Sequence, residues 1–473
     1  MRKDKRLRQL ASTRKQLLKQ NKRLSNTCLE QINLDAAGID IGSRSHYVAV
    51  PTDCDKEPVR EFLSFTEDLI KLCRWLKKCK VKTVAMESTG VYWIPLYEML
   101  CEKGFEVKLV DARHVKNVCG RKTDVLDCQW IQQLHTYGLL QGAFIPDLSI
   151  CALRSYVKQR DMLIAKAASH VQHMQKALVQ MNLQLHNVVN DITGITGMKI
   201  IRAIVSGERS AKRLSKYRDG RCKRSQDDIR KSLVGNYREE HVFSLKQALE
   251  LYDYYHEKIA ACDVEIEKKL RELSTTTSVE SNEPEHIEHK LKKRRKNDHH
   301  FDLGKALEAM LGIRMTAIPG VDASTVLHVI SVIGTDMRHW KNEKCFVSWL
   351  GVCPGTKVSG GKRLSGKSKR TANKAALALR LAAQTLYRSQ TALGAYYRRM
   401  RARIGAPKAI TATARKLAAI FYRMLKYKTE FIDMGQDYYE KQYRNRIMNN
   451  LRKKAAQLDM QLVPLHQTMN TRI

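Results

Sequence analysis

The chain has 473 residues, 43% of them hydrophobic, which is too long for one core and enough for roughly two to four folded domains. No apolar run approaches the ~20 residues that span a bilayer, and the basic N-terminus lacks the apolar stretch of a secretory signal. Lys and Arg number 85 against 48 Asp and Glu, a formal net charge of +37, so the expected partner is a polyanion, with nucleic acid ahead of anionic lipid.

The 12 cysteines are scattered and form no CxxC pair, which gives a zinc site little support. They are expected to be reduced thiols in a cytosol.

In chain order, residues 1–33 read as a basic N-terminal extension, either a solvated tail or a contact to a phosphate backbone. From Asp35 the texture changes. AAGIDIG, SHYVAVP and VREFLSF are short strand-like runs with tight connections, which suggests an antiparallel meander. TEDLIKLCRWLKKCK has helical apolar spacing, with Thr66 as the expected N-cap. KTVAMES is a fourth strand, VYWIPLYEMLCEKG a helix ending at Gly104, and EVKLVD a fifth strand. A long helix then runs from near Thr123 to about Gly138. This β-β-β-α-β-α-β-α unit occupies residues 34–150.

Residues 151–273 read as a helical or coiled-coil region. Residues 274–300 read as a flexible, charged linker with a basic cluster from Lys292 to Lys296. A mainly α domain follows over 301–430. Within it, AIPGVDASTVLHVISVIG puts a Pro-Gly turn between two helical segments. That shape fits a helix-hairpin-helix whose amides suit a phosphate, and it fits an ordinary αα-hairpin equally well. Residues 431–473 are a basic, polar tail in which no clear fold is expected.

Four acids stand out. Asp124 and Asp127 lie three apart in the first turns of the long helix and share a face. A helix N-terminus favours acids in any case. Asp40 sits in the first strand between Ile39 and Ile41, where a carboxylate is costly unless paired or metal-bound. Glu87 ends the fourth strand. Acids from a first strand, the end of a fourth strand and a following helix converge in the RNase H-like (RuvC-like) arrangement, and this is the fold expected for 34–150. Four oxygen donors without His or Cys partners suit Mg²⁺ or Mn²⁺. Two such ions can clamp the attacking and leaving oxygens of phosphodiester chemistry. Arg121 and Lys122 would then hold the nucleic-acid backbone. The competing reading of GIDIGSRS is the phosphate turn of sugar kinases and actin-like ATPases. It requires downstream phosphate and adenosine motifs that the chain lacks in that order, and it leaves Asp124 and Asp127 unexplained.

VSGGKRLSGKSKR lies far from these acids. Gly360 and Gly361 allow close approach to a phosphate, and Lys362, Arg363, Lys367, Lys369 and Arg370 supply charge. Composition favours a flexible, basic nucleic-acid loop. A sharper reading makes Ser359 a nucleophile on a phosphodiester, with Ser365 and Ser368 as substitutes. Nothing within the loop supplies the base that a serine needs.

GIDIGSRSHYVAV, VAMESTGVYWIPL, RHVKNVCGRKTDVLDCQWI, IPGVDASTV and SWLGVCPGTKVSGGKRLSGK, in that order, resemble the DEDD-type insertion-sequence transposases. These are bridge-RNA-guided recombinases with a RuvC-like domain. The resemblance covers residues 35 to about 430 and implies excision and insertion of a mobile DNA element. It implies that Asp40, Glu87, Asp124 and Asp127 are the family's metal-holding acids and that Ser359 is its serine nucleophile, forming a phosphoserine link to DNA. It further implies donor and target DNA, a structured non-coding guide RNA, and dimers assembling to tetramers in which the acids of one protomer complete another's serine site. The extension before Asp35 and the long middle depart from compact members. Two other readings stand beside it: a RuvC-like nuclease or junction resolvase that cuts with metal-activated water, and a non-catalytic nucleic-acid-binding protein.

Overall fold

A computed structural model of the chain describes residues 30–110, 124–275, 295–368 and 373–463; within these, the side chains of Asp124, Lys357 and Arg363 are outside the description. The chain divides into two compact units, Met1–Ile145 and Pro146–Ile473. No helix among the described residues is long and apolar enough to cross a membrane.

The first unit contains β1 (Ala36–Ile41), β2 (Ser45–Ala49), β3 (Val59–Leu63), α1 (Thr66–Lys78), β4 (Thr83–Glu87), α2 (Trp93–Glu102), β5 (Glu106–Val110) and α3 (Asp124–Thr136). Its sheet has the order β3-β2-β1-β4-β5. The β1–β2 and β2–β3 pairs are antiparallel, as short hairpin connections require, and β1–β4 and β4–β5 are parallel across helical crossovers. This mixed five-stranded sheet with its helices fits an α/β RNase H-like domain. Alternation along the strands divides the two faces. Ala37, Ile39 and Ile41 of β1 and Val84 and Met86 of β4 pack with Leu72 and Leu76 of α1 and Leu96 and Leu100 of α2. On the opposite face Ala85 and Val110 meet Ile131 of α3 and Leu140.

Thr66 does not cap α1. Phe65 holds the N-cap position without a side-chain bond, and Glu67 and Asp68 occupy the first turn. Those carboxylates offset the unpaired amides through the helix dipole, so a hydroxyl cap is unnecessary. Gly104, just past α2, has φ +82°, a conformation that a side chain resists.

In the second unit, α4 (Leu148–Gln180) and α9 (Glu239–Thr275) pack along one another. Between them in sequence come α5 (Leu185–Val188), α6 (Ile195–Val205), α7 (Ala211–Ser215) and α8 (Gln226–Ser232). Met174, Leu178, Ile200, Ile204, Leu245 and Leu249 share one core. The end of the charged stretch expected as linker, Asn297 to His300, docks on this pair. Arg160 of α4 donates to Asp263 of α9 at 2.6 Å and to the Asn297 carbonyl at 2.9 Å, and the His300 amide donates to Asp263 at 3.1 Å.

The chain continues with α10 (Leu303–Leu311), a 3₁₀ turn (Met315–Ala317), α11 (Ala323–Ile333), α12 (Glu343–Trp349), β6 (Lys357–Ser359), β7 (Lys362–Ser365), α13 (Lys374–Thr385), α14 (Ala392–Ile404), α15 (Ala406–Tyr427) and α16 (Gly435–Ala456). Asp322 caps α11 by accepting from the Thr325 amide at 2.8 Å, so an anion already occupies the helix start that was expected to suit a phosphate.

Two expectations are corrected. The Gly/Ser/Lys stretch is a β-hairpin, not a flexible loop through its centre: Ser359 pairs with Lys362, and Gly360 (φ +54°) and Gly361 (φ +74°) form the two-residue turn. Two successive positive φ angles are what a primed hairpin turn demands, and glycine meets that demand without strain. The tail is not foldless either, since α16 occupies 435–456.

Candidate active site

The site is built from the sheet upward. In the β1–β4 register Gly38 lies beside Ala85 and Ile39 beside Met86. Asp40 and Glu87 are the next residues on each strand, at the carboxyl ends of neighbouring parallel strands. Alternation turns both toward the face that carries Gly38, Ala85 and α3. Ligand sites of open α/β sheets form at this end of the strands.

α3 is held over these acids by three contacts. Gly38 lets the helix backbone touch the strand: a Cβ there would lie 2.4 Å from the Cys128 carbonyl oxygen and 2.2 Å from the Gln132 amide nitrogen. Gln132 donates to the Ala36 carbonyl at 3.4 Å. Farther along, Thr83 Oγ1 and His135 Nε2 are hydrogen-bonded at 2.9 Å. The helix therefore runs antiparallel to β1 and β4, and its first turn, bearing Asp124 and Asp127, comes to the strand ends.

The electrostatics agree with this placement. Cys128 is fully buried, and its thiol is pushed up to about 12, by burial first and then by the charges of Asp40 and Asp127. Its Sγ–H donates to the Val125 carbonyl at 3.1 Å. A strand residue and a helix residue thus act on one thiol between them. Burial, with Lys108 beside it, lowers His135 to about 4, which keeps its imidazole neutral. Asp40, Glu87 and Asp127 are half-buried, reachable from solvent without facing it fully. Thr89 Oγ1 donates to Glu87 Oε1 at 3.4 Å, and Ser88 anchors the strand end through amide and hydroxyl bonds to the Val110 carbonyl.

The donor set suits a hard divalent cation. Cys128 remains a protonated thiol at neutral pH, and His135 is committed to Thr83. Carboxylate oxygens are what remain, the chemistry of Mg²⁺ or Mn²⁺ rather than of zinc or copper. Among the described residues no group of three or more His, Cys, Asp or Glu is drawn together closely enough to hold an ion. The Asp124 side chain, the fourth member of the expected set, lies outside those residues, as do Arg121 and Lys122.

In the second unit Ser359 is the last residue of β6 and is exposed beside the turn. Gly360, Gly361, Lys362 and Lys367 are exposed with it. The side chain of Arg363 and residues Lys369 and Arg370 are outside the described residues. Ser365 Oγ accepts from the Lys367 amide at 3.3 Å, and Ser368 bridges to Pro354. Those bonds make both serines parts of the hairpin's base.

Sequence reasoning missed Gly38, Thr83, Cys128, Gln132 and His135, which position the site. A signal for them existed. Cys128, Ile131 and His135 repeat at helical spacing, and Gly38 stands two residues before Asp40, on the same strand face.

Residues 37–183 match the family model of the IS110 DEDD type described as "Transposase", and residues 299–398 match the model described as "Transposase IS116/IS110/IS902 family". Together the two matches span more than half of the chain. No curated protein matches it.

Proposed function

Because the chain belongs to the IS110 family of DEDD transposases, and so is a DNA transposase of an insertion sequence, we propose that Asp40, Glu87, Asp124 and Asp127 hold the divalent metal the family implies and that Ser359 is the nucleophile. The observation that carries this reading is the juxtaposition of Asp40 and Glu87 on adjacent strand ends beneath the Asp127-bearing turn of α3.

Mg²⁺, or Mn²⁺ in its place, would supply charge neutralisation at the scissile phosphate when bound. The protein residues do the rest. Asp40 and Glu87 are fixed by the β1–β4 register, and Asp127 by the closure of α3 on Gly38. Arg121 and Lys122, as cations, would hold the DNA backbone. In the hairpin, Ser359 Oγ bonds to a backbone phosphorus while one P–O bond of the DNA breaks and a deoxyribose hydroxyl leaves. Attack by the hydroxyl of another strand reverses the exchange and frees the serine, so two strands are rejoined without net hydrolysis. The Ser359 proton must pass to a group from outside the hairpin, since the described residues of the hairpin carry no carboxylate or imidazole. Gly360 and Gly361 bring bare backbone to the phosphate, and Lys362, Arg363, Lys367, Lys369 and Arg370 neutralise it.

The finer reading adds a structured guide RNA that pairs with donor and target DNA, and homodimers assembling to tetramers. The resemblance in the motifs supports it, as does a net charge of +37 that suits more than one polyanion.

The test is strand exchange on donor and target DNA with co-purified RNA, scored for covalent protein–DNA adducts. Ser359→Ala is expected to lose adducts and exchange together. Metal-dependent cutting that persists in Ser359→Ala would replace the serine mechanism with metal-activated water.

A further inference from the structure

Beyond the family matches, the C-terminal helix α16 has an unusual character. Not one of its residues is buried. From Lys441 to Leu458 the sequence KQYRNRIMNNLRKKAAQL carries Lys441, Arg444, Arg446, Arg452, Lys453 and Lys454 and no acid. None of these six makes an ion pair among the described residues. Asp437 and Glu440 stand in the first two turns of the helix; beyond them the segment from Lys441 has no buried residue and one sign of charge, so it gains little from packing and loses to self-repulsion.

Where α16 meets the body, the contact adds cations. Arg399 of α14 lies 3.9 Å from the Tyr443 ring centroid and 5.3 Å from that of Tyr439. Lys416 of α15 lies 4.1 Å from the Tyr396 ring. Arg398 donates to Gln436 at 2.6 Å. The fields of Arg399 and Arg446 both act on Lys416, whose ammonium is held below its usual range by desolvation first and then by those two charges. Tyrosine faces, not carboxylates, hold these cations in place.

A surface so assembled wants an anion. Ile447, Met448 and Leu451 are exposed on the same helix. A second copy that packed its own α16 there would set these cations against one another, which like-charge repulsion opposes. The tyrosine rings are already covered by the protein's own Arg399 and Lys416, so they are not platforms for bases. What remains available is charge and the amides of Asn445, Asn449 and Asn450, which suit phosphate oxygens. We propose that α16, backed by Arg399 and Lys416, is a nucleic-acid backbone clamp that neutralises phosphates without reading sequence. The proposal is independent of the carboxylate chemistry above. DNA and RNA offer the same phosphate chemistry, and the experiment separates them.

The full-length protein and its R444Q/R446Q/R452Q variant are titrated over a range of KCl against two duplexes of unrelated sequence and a stem-loop RNA. The expected result is weaker binding with a shallower log K against log[KCl] slope. On duplex DNA the slope falls by roughly 2–3, at about 0.9 for each phosphate that is no longer neutralised, and equally on both sequences. Weakening on duplex alone or on RNA alone also supports the clamp and identifies its polymer. An unchanged slope overturns it, as does weakening confined to one sequence. A changed oligomer mass by light scattering with an unchanged slope overturns it in favour of a protein interface. If the triple variant does not fold by circular dichroism, R452Q/K453Q/K454Q, beyond the tyrosine contacts, is read the same way. Asp40→Asn is run beside them: it is expected to lose cleavage with the slope intact, so failure of the clamp and failure of the carboxylate site are told apart.

Discussion

Asp40 and Glu87 stand one residue beyond the Ile39–Met86 pair of the parallel β1–β4 ladder, side by side and on the face that α3 covers. Forty-odd residues of intervening chain are cancelled by one strand register. Neutral isosteres test this pairing with little change of shape. Asp40→Asn and Glu87→Gln are each expected to lower the rate of DNA strand cleavage by roughly 10²–10³-fold, the range found when one preorganised charge-stabilising group is removed. Single-turnover cleavage measures the loss, and an unchanged circular dichroism melt assigns it to chemistry and not to folding.

Gly38 is where the helix meets the strand. A methyl group there would press on the Cys128 carbonyl and the Gln132 amide, both backbone, at 2.4 and 2.2 Å. Gly38→Ala is expected to destabilise the protein by roughly 1–3 kcal/mol, the cost of overpacking a well-filled contact. It should reduce cleavage further by lifting Asp127 away from Asp40. Urea unfolding and cleavage, measured together, check both effects. A neutral outcome in both would mean that α3 is not held at this point.

His135 gives the protein a pH dependence of definite sign. Its ordinary value is 6.5 and burial lowers it to about 4 in the folded chain. Between those values the unfolded chain binds the proton and the folded chain does not. Stability therefore rises with pH through this window and is lost as pH falls from about 6.5 toward about 4. His299 in the second unit, also lowered to about 4 by burial with Arg160 beside it, acts in the same direction. Melting temperatures across this range should show a shallower slope in His135→Gln than in the parent, with the remaining slope carried in part by His299.

The Arg160–Asp263 pair lies under α4 and α9, with side chains 6% and 0% exposed. Asp263→Ala leaves a guanidinium buried and strips the His300 amide of its acceptor. A loss of about 3–5 kcal/mol is expected, the usual cost of breaking one half of a buried pair. Replacing both residues, R160M/D263L, should recover most of it. Chemical denaturation of the two variants measures the difference.

Much of the first unit was legible because the physics is local. Alternating apolar residues specify β1 to β5, short connections force the first three strands into a meander, and helical spacing marks α1, α2 and α3. The four acids could be ranked because a strand-embedded Asp40 is expensive without a partner. What could not be read was contact. That Gly38 is a seat for α3, or that Cys128 feels both Asp40 and Asp127, depends on register between segments some ninety residues apart. The hairpin at Ser359 was legible in principle, since Gly-Gly between two short extended runs is a turn signal, but the density of Gly, Ser and Lys masked it as a loop. α16 was hidden for the opposite reason. It has no apolar stripe to read, and its contact to the body rests on Tyr439 and Tyr443 receiving Arg399, a pairing that periodicity does not reveal.

The strand-end acids and the first turn of α3 are proposed to form one cation site. Manganese anomalous diffraction from crystals soaked in Mn²⁺ decides whether they do. Anomalous density is expected within about 2.0–2.4 Å of carboxylate oxygens of Asp40 and Glu87 and of at least one of Asp124 and Asp127, lost in Asp40→Asn. Density that appears elsewhere, or that persists in that variant, would contradict the proposal.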